Sequence, residues 1–183
     1  IVTFKNKDKG YKLEIIDGQQ RLTTLLLLLR AFYERTSNQK DEETISMRKM
    51  IEQCIWKTDD FDKPDLNALK IDSEVATDND KGEFLDILKS GKAHDNYKSQ
   101  YAENYRFFEK KINEFINDLP DFFKYLPVRI LKYCILLPIE ADNQDTALQI
   151  FSTLNNRGKP LSDADIFKSQ FYKYYTSIGQ KDD

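Results

Sequence analysis

The sequence predicts a mixed α+β fold, a small β-sheet joined to a large helical portion. Three observations carry this. Two strand-like runs, Ile1–Lys5 and Tyr11–Ile16, stand at the start with turn residues between them. Most of the following chain places apolar residues at three- and four-residue steps. A continuous apolar run, Tyr133–Ile139, bounded by polar residues, then reads as one more strand, buried on both faces.

The turn Asn6-Lys7-Asp8-Lys9-Gly10 makes a hairpin of the first two strands. Gln19 to about Thr36 is a helix whose leucines cover nearly its whole circumference, so it belongs at the centre of a core. A second helix spans about Glu42–Trp56. Asp59–Asp65 is a polar loop with Pro64, and Leu66–Ile71 a short strand. Asn79–Lys89 and Tyr97–Asn117 are helices, the second with Tyr101, Tyr105, Phe108, Ile112, Phe115 and Ile116 on one stripe. Such a stripe is expected to be core, not a base-stacking platform. Pro120 opens another helix. Asn143–Leu154 is a helix, Asn155–Pro160 a loop, and Ser162 caps a last helix reaching about Thr176.

The chain has 183 residues, 40% of them hydrophobic and 32% charged, which fits one folded domain and excludes a disordered chain. The net charge of −3 advertises no global field for nucleic acid, so any DNA contact is local or made elsewhere. The apolar run Leu25–Leu29 is far short of the roughly 20 residues of a membrane span. No signal peptide is visible. Cys54 and Cys134 lack metal-ligand spacing and read as free, buried thiols of a reducing compartment, the cytoplasm. A single histidine, His94 in a polar loop, argues against histidine–metal nuclease and zinc sites built from this chain alone, and leaves no Ser-His-Asp arrangement beyond that one histidine.

Asp17-Gly18-Gln19-Gln20-Arg21 lies where the second strand gives way to the leucine-rich helix. The first amides of a helix lack partners and its dipole is positive there, so the junction is an anion site. Helix capping accounts for Asp17, and turn chemistry for Gly18. Neither accounts for Arg21, a cation in the first turn, which opposes the dipole by a few tenths to about 1 kcal/mol. A bound phosphate does. In that reading the first-turn amides cradle phosphate and Arg21 pairs with it. Gln19 or Gln20 orients a water, Asp17 holds Mg²⁺ or acts as a base, and Thr23 and Thr24 add hydroxyls, one of them merely packing.

A second motif runs from Phe151 to Lys168. Capping and turn chemistry explain Gly158, Pro160, and Ser162 with Asp165. The functional alternative is a second cationic loop, with Arg157 and Lys159, beside another helix start. Pro64-Asp65 with Glu109-Lys110-Lys111 imitates a metal-dependent nuclease pattern, but Glu109 falls inside an amphipathic helix.

Ile15–Leu25, carrying Asp17 to Arg21, resembles the hallmark of the DGQQR family, the N-terminal domain of GmrSD-type, modification-dependent (type IV) restriction enzymes. Phe151–Lys168 resembles that family's second signature, and Asn104-Tyr105-Arg106-Phe107-Phe108 its helical midsection. The resemblance covers essentially the whole chain and implies one domain over 1–183, with a core of about 1–75 and 132–183 and a helical lobe of about 78–131. It implies a core similar to ParB and sulfiredoxin, whose strand–turn–helix grips nucleotide phosphates. It also implies nucleoside triphosphate binding and hydrolysis with Mg²⁺, in the restriction of modified phage DNA. Carried over, Asp17, Gly18, Gln19, Gln20 and Arg21 form the first half of the site. Asn155, Arg157, Gly158, Asp165 and Lys168 form the second, and Lys159 joins them from the reading of the cationic loop.

Two departures are expected to matter. The family's Ile-Pro-x-Tyr-Gln-Arg-like segment upstream of the strand is not in this sequence, and neither is the HNH-type nuclease domain that often follows. The expected function is therefore a nucleotide-binding, hydrolysing control domain that works with a nuclease domain or subunit and reaches modified DNA through the whole system. A non-enzymatic module recognising modified DNA through Arg157, Lys159 and Lys168 is the second expectation, and a ParB-like nuclease the third.

Overall fold

The computed structural model describes residues 1–6, 12–71 and 78–155. It is a mixed α+β fold. The chain divides into two compact units, one formed by Ile1–Gln19 with the chain from Leu136 onward, the other by Gln20–Ile135.

In the first unit, β1 (Val2–Asn6) pairs antiparallel with β2 (Lys12–Asp17). On its other edge β1 pairs parallel with β5 (Ile139–Ala141), giving the order β2-β1-β5. Helix α6 (Gln144–Asn155) covers one face. Asn143 starts it, its Oδ1 accepting from the amide of Thr146 at 2.9 Å. Val2, Phe4, Ala141 and Ala147 form the core, with Ile16 and Ile150 packed against them. The alternation of β1 explains this. Val2 and Phe4 point to the helix, while Lys5 points away and pairs with Glu140 at 2.7 Å.

The second unit is built around α1 (Gln19–Arg35). Leu26, Leu27, Leu29 and Phe32 are buried against α2 (Glu42–Ile55), α3 (Asp78–Ser90) and α4 (Gln100–Asp118). Tyr105 and Ile112 of α4 belong to this core, while Phe107 of the same helix is exposed. The expected stripe is therefore a packing surface. Asp41 caps α2 and Ser99 caps α4. A two-stranded hairpin of β3 (Trp56–Thr58) and β4 (Pro64–Leu69) follows α2. Helix α5 (Tyr125–Tyr133) completes the unit.

Several expectations need correction. Tyr133–Ile139 is not a buried strand. Tyr133 ends α5, residues 134–138 are unpaired in any strand, and Ile135 is 88% exposed. Strand pairing begins only at Ile139, opposite Val2, and Pro138 before it has no amide to donate. Cys134 lies in that stretch and is exposed, whereas Cys54 is half-buried with its thiol pushed up by burial. Helix α2 stops before Trp56, because Trp56 pairs with Leu69. Pro120 lies in turns ahead of α5, which begins at Tyr125. Strand β4 starts at Pro64, inside the expected loop. Most of the first hairpin turn, the loop after Asn155 and the helix capped by Ser162 lie outside the described residues.

Candidate functional site

Strand β2 hands the chain to α1 through one residue, Gly18. Gly18 is buried and has φ of +94°, a left-handed conformation that a side chain disfavours. That single turn is what lets a strand end and a 17-residue helix begin at Gln19. Two residues, Gln20 and Arg21, are exposed in the first helical turn, which holds no acidic residue, and Thr24 is exposed one turn on. The cation expected at the positive end of the dipole is therefore in place. Thr23 is buried, and its Oγ1 donates to the carbonyl of Gln20 at 3.1 Å, so it is the packing member of the threonine pair.

Asp17 is half-buried and ends β2. Its direction depends on an irregularity that the composition of the motif does not reveal. The β1–β2 register runs Asn6↔Lys12, Lys5↔Leu13, Phe4↔Glu14, Thr3↔Ile15, and then jumps to Val2↔Asp17. Ile16 is the extra residue of a β-bulge. Paired residues share a sheet face, so Asp17 shares the face of Val2, the one packed by Ala147 of α6. Ile16 packs against the same cluster. The sequence signal for this is slight. Leu13-Glu14-Ile15 alternates, and Ile15-Ile16 breaks the alternation.

Gln19 turns back over this bulge. Its Nε2 donates to the carbonyl of Ile15 at 2.7 Å, the last pair before the extra residue.

Helix α6 follows β5 through only Asp142 and Asn143 and packs back on the sheet. A helix connected so tightly to the strand it covers runs opposite to that strand. Because β5 is parallel to β1, α6 finishes at the end of the sheet where β1 begins, the end of Val2 and Asp17. Asn155 closes α6. Arg157, Gly158, Lys159, Asp165 and Lys168 lie outside the described residues.

Among the described residues no group of three or more His, Cys, Asp or Glu side chains could hold a metal ion. Glu109 stands in the middle of α4, which removes the nuclease-like pattern expected of a strand. His94 is exposed, in edge contact with Tyr97 at 5.2 Å between ring centres. A cavity of about 360 Å³ opens between Leu28, Phe32, Phe108 and Phe115, and none of Asp17 to Thr24 lines it. No helix among the described residues is long and apolar enough to cross a membrane.

Compared with known proteins, the chain matches the family model described as GmrSD restriction endonuclease, N-terminal domain, over residues 1–172. No curated protein and no solved structure matches it.

Proposed function

The chain belongs to the GmrSD restriction endonuclease N-terminal domain family, a component of restriction systems, and on that premise we propose that it binds and hydrolyses a nucleoside triphosphate. The observation that carries this reading is the junction at Gly18. A strand ends on a left-handed glycine, a long helix starts at once, and an arginine occupies its first turn. The positive dipole end of a helix favours an anion, and an arginine there favours it further.

In this reading the first-turn amides, Gly18 and Arg21 hold the phosphates, and Thr24 adds a hydroxyl. Gln20, exposed beside them, orients the water that attacks the terminal phosphorus. Mg²⁺ is commonly held by one or two carboxylates together with substrate phosphates and water. Asp17 fits that role as a single carboxylate and needs no protein-built cluster around it. When bound, the ion supplies neutralisation of phosphate charge. The return of α6 to the Asp17 end of the sheet supports the second half of the site. Asn155, the last residue of α6, stands at that end, and the proposal gives the second half of the site to Asn155, Arg157, Gly158, Lys159, Asp165 and Lys168. Cytoplasmic action beside a nuclease domain or subunit, on modified phage DNA, completes the proposal.

Titration calorimetry of the 183-residue chain with ATP and with GTP tests it. Wild type should bind one of them with Mg²⁺. Arg21→Ala should weaken binding about 10- to 100-fold, the worth of a charge-assisted pair. Absence of wild-type binding, or equal affinity in Arg21→Ala, overturns the proposal.

A further inference from the structure

We infer that the two adjacent glutamines have separate tasks: Gln19 is a positioning residue that clamps the Ile16 bulge and so aims Asp17, while Gln20 alone meets the ligand. The inference rests on the nucleotide reading for Gln20 and on geometry alone for Gln19.

The geometry is short-ranged. With regular pairing Ile16 would face Val2, and Asp17 would fall on the opposite face of the sheet, the face of Thr3, Lys5 and Glu140. The extra residue moves Asp17 to the α6 face instead. A bulge interrupts ladder bonding locally, and something must fix it against slipping back into register. The Gln19 amide does so. It reaches from the first residue of α1 to the carbonyl of Ile15 at 2.7 Å, spanning Ile16, Asp17 and Gly18. Gly18, at φ +94°, supplies the turn that lets Gln19 face backwards. One N–H of the Gln19 amide is spent on the backbone of β2, which holds the side chain over the bulge. Gln20, one residue on, is exposed and uses its backbone carbonyl to accept from Thr23.

Amide hydrogen exchange by NMR on the full chain, without nucleotide, reads the clamp directly. Gln19→Glu keeps shape and removes the donor, and Gln19→Met does the same without charge. In either variant the Ile16 and Asp17 amides should exchange about fivefold faster, the size of one neutral hydrogen bond. The amides of α4 should be unchanged, which certifies the fold. Gln19→Lys, which keeps a donor of similar reach, should restore slow exchange, and Gln20→Glu should leave it untouched. The same variants titrated with Mg²⁺ and nucleotide should separate further. Gln19→Met should lose mainly the Mg²⁺-dependent part of the affinity, and Gln20→Glu should lose turnover with little change in binding. Unaltered exchange in both folded Gln19 variants overturns the clamp even if nucleotide binds. A loosened bulge in a protein that binds no nucleotide overturns the ligand role of Gln20 and leaves the clamp standing.

Discussion

Gly91 illustrates how a missing side chain can hold a charged one in place. Arg30 sits on the core-facing side of α1, only 4% exposed, and a buried guanidinium needs partners on every side. Its Nε donates to the carbonyl of Leu88 at 2.9 Å and its Nη1 to Glu34 at 3.0 Å, while Nη2 reaches the carbonyl of Lys89 at 3.4 Å. The first and third of these complete the C-terminal end of α3, where helix carbonyls have no partners of their own. Gly91 ends that helix at φ +72°, and a Cβ there would come within 2.6 Å of Arg30 Cζ and of Glu34 Oε2. Gly91→Ala therefore both strains the backbone and evicts the guanidinium. A loss of roughly 2–4 kcal/mol is expected, and thermal denaturation checks it, since 1 kcal/mol moves the midpoint by about 2–4 °C at this size. A midpoint within a degree of wild type would show that Arg30 has room to yield. Nothing in the sequence marks Arg30 as special. It stands at the end of a leucine run, and its carbonyl partners, Leu88 and Lys89, are brought to it only by the last turn of α3, 58 and 59 residues later.

At the scale of elements, the cap of α2 links local structure to pH. The Thr44 hydroxyl and amide, and then Lys124, hold the Asp41 carboxyl down at about 2, below its ordinary 3.8. A carboxylate whose pKa is depressed by folding stabilises the native state above its unfolded value. That stabilisation fades as pH falls from near 4 through about 2. Asp41→Asn cannot titrate, so its stability should fall less steeply over that interval than wild type. Urea denaturation at a series of pH values measures both slopes, and parallel slopes would remove Asp41 from the acid response. Periodicity was legible in the chain itself, and α1, α2, α3, α4 and α6 lie within a few residues of where that signal put them. Strand β3 was not legible, because Trp56 continues the apolar pattern of α2 and Trp56-Lys57-Thr58 becomes a strand only by pairing with β4. Tyr133–Ile139 failed for the reverse reason. Its composition fits a buried strand, but β1 offers it only the three-residue ladder from Ile139 to Ala141. In the candidate site the residue types were legible and the aim of Asp17 was not, because one extra residue in β2 outweighs the motif's spelling.

For the whole molecule, the two units have separate cores, Val2, Phe4, Ala141 and Ala147 in one and the leucine, isoleucine and aromatic cluster around α1 in the other. Val2 is fully buried, and Val2→Ala removes two methyl groups at a cost of roughly 2 kcal/mol. If opening is local to a unit, exchange in β1, β2 and β5 should quicken by about thirtyfold while α3 and α4 keep their protection. Uniform quickening would mean that the chain opens only as one cooperative body. The small core is the economical place for a ligand to act, since a few contacts made there stabilise a large share of its structure. The bulge at Ile16 has a consequence for recognising such proteins and for grafting their sites. Five letters in a row do not define the acid's address. The phase of the strand ahead of them does. A chain that spells Asp-Gly-Gln-Gln-Arg after a strand of strict alternation would send the carboxylate to the other side of its sheet, and a transplanted motif must bring Ile15 and Ile16 with it to keep its aim.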